Sequence, residues 1–164
     1  MTPHEHAFPK VVLREVTKAN FHECIRLKVA PDQEQDVAPN VYSLAQAKVN
    51  PLLHPFAIYD GKILGRDPRE DEPMVGFVMY QVMEGVGFIM RLMVGEAYQG
   101  QGYGRATMVE VLRRLKLYPE IEIIATSVNK GNDYVERLYR ELGFVDGLKE
   151  DEREIYLRLD WMPS

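Results

Sequence analysis

The sequence predicts an α/β (α+β) domain, a mixed and mostly antiparallel central sheet flanked by helices on both faces. Three observations predict it. Apolar runs with strand character and amphipathic stripes with helical spacing alternate in the order β, α, α, a three-strand meander, α-β-α, then β-β. One run, residues 121–128, is apolar on both alternating sets, as a strand buried on both sides requires. A loop with three alternating glycines lies between a buried strand and a helix in mid-chain. The 164 residues have the size of one domain, expected over 1–164, with an N-terminal extension at 1–10 and a charged insertion at 65–73.

Taken in order, residues 11–16 form the first strand. Thr17 is placed to cap a helix over residues 20–27, in which Phe21, Cys24, Ile25 and Lys28 recur at helical spacing. Residues 29–41, rich in Pro, Asp, Gln and Asn, read as a loop with at most a short helical turn. Ser43 is placed to cap a second helix, residues 44–49, which Asn50-Pro51 ends. Residues 56–59 form a strand, and Asp60-Gly61 gives a turn signal. The return strand is postponed by residues 66–73, charged throughout and bounded by prolines, which predict a solvated loop. Residues 74–83 resume as a strand, Glu84-Gly85 turns the chain, and residues 86–94 run back. Met108, Val111, Leu112 and Leu115 then mark one buried face of a helix over residues 105–118, stopped at Tyr118-Pro119. Asn132 is placed to cap a late helix whose stripe is Val135, Leu138, Tyr139 and Leu142, and Gly143 stops it. Residues 144–145 and 154–159 supply two final strands.

The glycine loop is Gln99-Gly100-Gln101-Gly102-Tyr103-Gly104. Glycines between a strand and a helix leave bare backbone N–H groups at a helix N-terminus. Such a nest is partly positive and binds anions, phosphates above all. The spacing rejects two phosphate loops. A dinucleotide fingerprint wants a glycine three residues after Gly102, where Arg105 stands, and no Gly-Lys-Ser/Thr follows as a Walker loop demands. What remains is Gln-x-x-Gly-x-Gly opening a helix, a pattern equally open to a turn that holds no ligand.

Bulk properties narrow the partners. Lys plus Arg number 20 and Asp plus Glu 25, a formal charge of −5, which argues against nucleic acid and suits a cationic substrate. The one cysteine, Cys24, forbids an internal disulfide and fits a reducing, cytoplasmic setting; its place beside Ile25 in a helical pattern makes it a buried thiol. No segment approaches transmembrane length, and the first ten residues lack the apolar core of a signal peptide, so no membrane association is expected.

Two segments resemble the GNAT superfamily of acyl-CoA-dependent N-acyltransferases. Residues 92–104 are similar to that family's strand and Q/R-x-x-G-x-G/A loop. Asn132 with residues 137–144 is similar to its N-x-x-A-x-x-L-Y-x-x-L-G-F segment, Val135 standing where the alanine is expected. Tyr42-Ser43-Leu44-Ala45-Gln46-Ala47 and Val75-Gly76-Phe77-Val78-Met79-Tyr80 further resemble the bacterial diamine, spermine and spermidine acetyltransferase branch. The resemblance implies acetyl-CoA as co-substrate, no metal, and a small-molecule amine as acceptor. Acetyl-CoA would lie where two parallel strands, ending near Val94 and Val128, splay apart. Backbone groups of Leu92, Met93 and Val94 would pair with the pantetheine amides. Gln99, Gly100, Gln101, Gly102, Tyr103, Gly104 and Arg105 would surround the pyrophosphate, and Asn132 would contact the cofactor arm. Tyr139 would be the general acid. A homodimer is a further implication, since dimers are common in the family. The polyamine branch implies an acidic residue two positions before Leu92, where Met90 stands, with Arg91 on the opposite strand face. A methionine lines an amine channel but takes no proton. Asp32, Glu34, Asp36 and Glu84 are the carboxylates left for the acceptor, with Glu96, Glu122 and a water relay as further routes for the proton. Another amine acceptor (an aminoglycoside, an amino acid or a protein N-terminus) and a non-catalytic acyl-CoA sensor remain the alternatives.

Overall fold

The computed structural model describes residues 9–160, so residues 1–8 of the expected extension lie outside the described residues. The elements are β1 (Val11–Glu15), α1 (Phe21–Arg26), α2 (Asn40–Val49), β2 (Leu53–Asp60), β3 (Met74–Met83), β4 (Val86–Val94), α3 (Tyr103–Leu115), β5 (Ile123–Asn129), α4 (Asp133–Glu141), β6 (Val145–Glu150) and β7 (Glu154–Asp160). The strands make one seven-stranded sheet in the order β1-β2-β3-β4-β5-β7-β6. Every neighbouring pair is antiparallel except β4 and β5.

That exception shapes the molecule. The β4–β5 ladder runs from Val86↔Ile123 to Ile89↔Thr126 and stops there. Both strands continue, β4 paired with β3 as far as Gly76↔Val94 and β5 paired with β7 as far as Asn129↔Glu154. Beyond the Ile89–Thr126 rung they part into a V. A bulge sits at the point of parting: Tyr80 faces Ile89 and Met79 faces Arg91, leaving Met90 without an opposite number. The extra residue bends β4 and raises its twist, which turns it away from β5.

Each face of the sheet carries its own apolar cluster. One lies under α3 and α4 and includes Ile58, Val78, Ile89, Ile124, Leu157, Met108, Leu115 and Tyr139. The other lies under α1 and α2 and includes Cys24, Ala57, Phe77, Met79 and Met93, with Leu44, Ala47 and Met90 packed against it.

Several local expectations change. The bulge overrides strict alternation. Met90 packs into the α1–α2 cluster, and Arg91, expected on the opposite face, reaches the same helices by donating from Nη2 to Gln46 Oε1 at 3.0 Å. Helix α2 starts at Asn40 behind Pro39, so Ser43 is buried inside its first turn, with an Oγ that has no partner, and does not cap it. Asn20, not Thr17, holds the N-cap position of α1, and the Thr17 oxygen accepts from Ala19 N instead. The charged insertion is pinned as well as solvated: Arg66 grips both oxygens of Glu72 at 2.7 Å. Hydrogen bonds from that guanidinium hold the Glu72 carboxyl down at about 2. Gly143 ends α4 at φ +101°, in the left-handed region a helix stop favours.

Candidate active site

The glycine loop joins the open end of β4 to α3. Gly100 (φ +75°) and Gly102 (φ +88°) both lie in the left-handed region, and Gly102 is the N-cap of α3. The first-turn N–H groups of Tyr103 and Gly104 have no intrahelical acceptor and point out of the helix end. A Cβ on Gly104 would meet nothing nearer than 3.9 Å, so the space beside this nest is open. Arg105 stands in the same turn. The chemistry fits a pyrophosphate: backbone donors, a helix dipole and a cation, with no carboxylate in the loop itself.

Two side chains of this loop turn to the protein. Gln99, expected as a donor to the cofactor, spends both amide protons internally, on Val94 O at 3.0 Å and Gln33 Oε1 at 2.7 Å. Tyr103 donates to Asp60 Oδ2 at 2.7 Å, while the other Asp60 oxygen accepts from Lys62 N at 3.0 Å. Burial first, and the Asp60 carboxylate second, push the Tyr103 phenol up to about 12. Tyr103 thus anchors the start of α3 to the end of β2, and what it has to offer a phosphate is its backbone N–H.

Leu92, Met93 and Val94 lie on β4 past the last β5 rung, where the edge facing β5 carries no ladder partner. Such an edge suits an extended, amide-bearing arm that adds itself as a strand. Asn132 takes the N-cap position of α4 but makes no side-chain capping bond, contrary to expectation, so its amide is not spent on the helix.

Tyr139 comes from α4 to the apex of the V. It is 3% exposed, its ring edge-to-face with Phe144 at 5.2 Å. Thr126, whose Oγ1 donates to Ile89 O at 3.0 Å, is a polar neighbour of the phenol. The Thr126–Ile89 hydrogen bond joins the two residues of the last β4–β5 rung, and Tyr139 stands beside it. Desolvation pushes the phenol up to about 12, so it stays protonated across the physiological range.

The segment joining α1 to α2 crosses the open end of the V. Lys28 O accepts from Glu96 N at 2.9 Å, Gln33 meets Gln99, and Asp36 Oδ1 accepts from Asn129 Nδ2 at 3.3 Å. Asp32, Glu34 and Asp36 are exposed on this strap. Glu84 does not join them. It lies in the β3–β4 turn, at the closed end of the β4–β5 ladder, and is removed from the acceptor set; Glu122 donates its N–H to Gly85 O at that same end. Cys24 is fully buried, its thiol pushed up to about 11 by burial, which suits packing and not attack.

Sequence reasoning missed Arg91, Thr126, Ser127, Glu154 and Tyr156. Thr126 and Ser127 leave one signal, two hydroxyls inside an otherwise apolar run; Glu154 and Tyr156 leave none, because only the β5–β7 pairing brings them to the V. Among the described residues, no group of three or more His, Cys, Asp or Glu is arranged to hold a metal, and no helix is long and apolar enough to cross a membrane.

Residues 21–144 match the model of the acetyltransferase (GNAT) family. No curated protein sequence matches significantly. Many solved structures share the fold. A spermidine N-acetyltransferase from Vibrio cholerae, in complex with CoA and spermine, is 14% identical with a TM-score of 0.71, over 92% of this chain and 95% of that one. The PaiA N-acetyltransferase from Thermoplasma acidophilum, in complex with coenzyme A, is 11% identical with a TM-score of 0.66, over 93% and 99%. The ribosomal-protein-S18-alanine N-acetyltransferase from Escherichia coli is 16% identical with a TM-score of 0.65, over 92% and 93%.

Proposed function

This chain belongs to the acetyltransferase (GNAT) family and is an enzyme of the acetyl-CoA:amine N-acetyltransferase class, and from that premise we propose that its acceptor is a small diamine or polyamine and that Tyr139 is its general acid. One observation carries the reading: Tyr139 is buried beside Thr126, whose Oγ1 donates to Ile89 O at the last rung before β4 and β5 part. Tyr139 at the apex would be the proton donor, between the phosphate nest of α3 and the strap over the open end.

The chemistry asks for such a donor. An alkyl amine, with a pKa of about 10, arrives as an ammonium and must lose a proton before it can attack. Acetyl-CoA supplies an activated thioester. The nest of residues 100–105 would hold its phosphates and the open β4 edge its amide-bearing arm. Expulsion of the thiolate (about 8.5 for a simple thiol) needs a proton, which the Tyr139 phenol would give. Burial penalises thiolate and phenolate alike, so the proton moves to whichever atom develops charge. Attack is direct, and Cys24 takes no part.

The polyamine reading draws on Asp32, Glu34 and Asp36, which ring the strap with negative charge and attract a polycation. The spermine-bound relative from Vibrio cholerae supports the same class. One feature favours a second class. Arg91 is a half-buried cation on the acceptor face, its charge disfavoured by desolvation, and it would pair with a carboxylate-bearing amine such as an amino acid or a peptide N-terminus. A CoA-release assay over putrescine, spermidine, spermine, free amino acids and peptide N-termini separates them. We expect release with a polyamine. Release with carboxylate-bearing amines alone would assign the acceptor to Arg91. Tight acetyl-CoA binding with no release would leave a sensing module.

A further inference from the structure

Two consecutive residues of β5 stand beside titratable groups on opposite faces of the sheet. Thr126 turns to the α3–α4 face, beside Tyr139. Ser127 is the first residue of β5 beyond the last β4 rung, and alternation turns it to the other face. There its Oγ donates to Glu154 Oε1 at 3.2 Å, and Tyr156 O–H donates to Glu154 Oε2 at 3.1 Å. The apolar cluster under α1 and α2 extends to Met90 and Met93 of β4 and includes no residue of β5, β6 or β7. Past it, at the mouth of the V, this face is polar.

We propose that Glu154 is the group that takes the proton from the acceptor's ammonium, the task Met90 cannot perform. The inference rests on the acetyl-transfer reading above. Two hydroxyls fix the carboxylate while occupying only part of its capacity, since an ionised carboxylate offers about four lone-pair sites. Arg91 of β4 is in electrostatic reach, and Tyr42 of α2 acts on that same arginine. Lys149 of β6 lies over the Tyr156 ring at 4.7 Å. Its acidic neighbours are Asp36, which meets Asn129 opposite Glu154, and Asp151, whose Oδ1 accepts from Glu154 N at 3.3 Å. Glu154 is half exposed, so it can return its proton to solvent.

The step balances. The ammonium gives one proton to Glu154, which releases it to water. The nitrogen lone pair forms the C–N bond at the thioester carbonyl, and the C–S bond breaks with its electron pair going to sulfur. Sulfur takes the Tyr139 phenolic proton, and the second proton lost by nitrogen restores the phenol. Base and acid thus act from the two faces of the sheet, beside two adjacent residues of β5.

The test is Glu154→Gln beside the wild type, in the CoA-release assay with the amine that gives the fastest turnover. For Glu154→Gln we expect kcat/KM for the amine to fall about 100-fold at pH 7, with the Kd for acetyl-CoA unchanged. The deficit should shrink toward pH 10 as the free amine becomes abundant, and Glu154→Asp should recover part of the loss. Activity within twofold of the wild type, a deficit constant from pH 7 to pH 10, or a matching loss of acetyl-CoA affinity would each overturn the assignment. A wild type that releases no CoA with any amine would overturn the acetyl-transfer reading itself, and this assignment with it.

Discussion

The two sides of the V are built by different means. On the proposed cofactor side the parts are nearly consecutive, running from Leu92 through Gly104, and they offer backbone N–H and C=O groups. On the acceptor side the parts come from five separate stretches: the strap with Asp36, α2 with Tyr42 and Gln46, the bulge with Met90 and Arg91, Ser127 of β5, and Glu154 with Tyr156 of β7. They act through side chains. A backbone site has to be written locally, because only glycines at fixed spacing give it its shape. A side-chain site is assembled by topology, and its members are free to lie anywhere along the chain.

Substitutions on the two sides should therefore separate cleanly. The largest effect belongs to the apex that both sides share. Tyr139→Phe should lower kcat at least 100-fold while leaving the acetyl-CoA Kd within twofold, by stopped-flow turnover and calorimetric titration. The raised phenol adds a sign. The acid works while protonated, so Tyr139 should cause no alkaline loss of rate until the pH nears about 12. A wild-type rate that collapses between pH 8 and 9 would count against it.

Next comes Gly104→Ala. A methyl there strains no backbone and meets only Leu138 Cδ2 and Val94 Cγ2, both at 3.9 Å. We expect acetyl-CoA to bind about tenfold more weakly, the loss of roughly one charge-assisted hydrogen bond, with Tm unchanged. Gly100→Ala is the poorer probe, because its φ of +75° would add strain to any effect on the ligand.

Tyr103→Phe should act more mildly. It frees the start of α3 from Asp60 and removes one hydrogen bond worth about 1 kcal/mol. The KM for acetyl-CoA should rise about threefold, and Tm should drop by a few degrees in thermal denaturation. The KM for the amine should stay level, since the anchor belongs to the cofactor side.

Neutralising Asp32, Glu34 and Asp36 together should have the smallest effect, because exposed charges are screened. The KM for a polyamine should rise about two- to threefold at low salt, and the difference should vanish near 0.5 M NaCl. An effect that survives high salt would mean direct contact in place of long-range attraction.

The same contrast explains what was legible in the sequence. Strands β3 and β4 fell where their apolar runs begin and end, and the strand-loop-helix unit around Gly102 was readable because its signals are local. The start of α2 was not. Proline usually reads as a break, and here Pro39 instead leads into the helix, which buries Ser43 in its first turn. Met90 and Arg91 were assigned to opposite faces by alternation, a rule the bulge suspends without leaving a mark in composition. Glu154 sits well outside the glycine-loop motif, and only its register opposite Asn129 makes it a neighbour of the V.

Initial-rate kinetics with acetyl-CoA and amine both varied test the central claim, direct attack at a shared apex, most directly. The account predicts double-reciprocal lines that intersect, with no CoA released until the amine is present. Parallel lines, or CoA released before amine is added together with an acetylated protein by mass spectrometry, would contradict it.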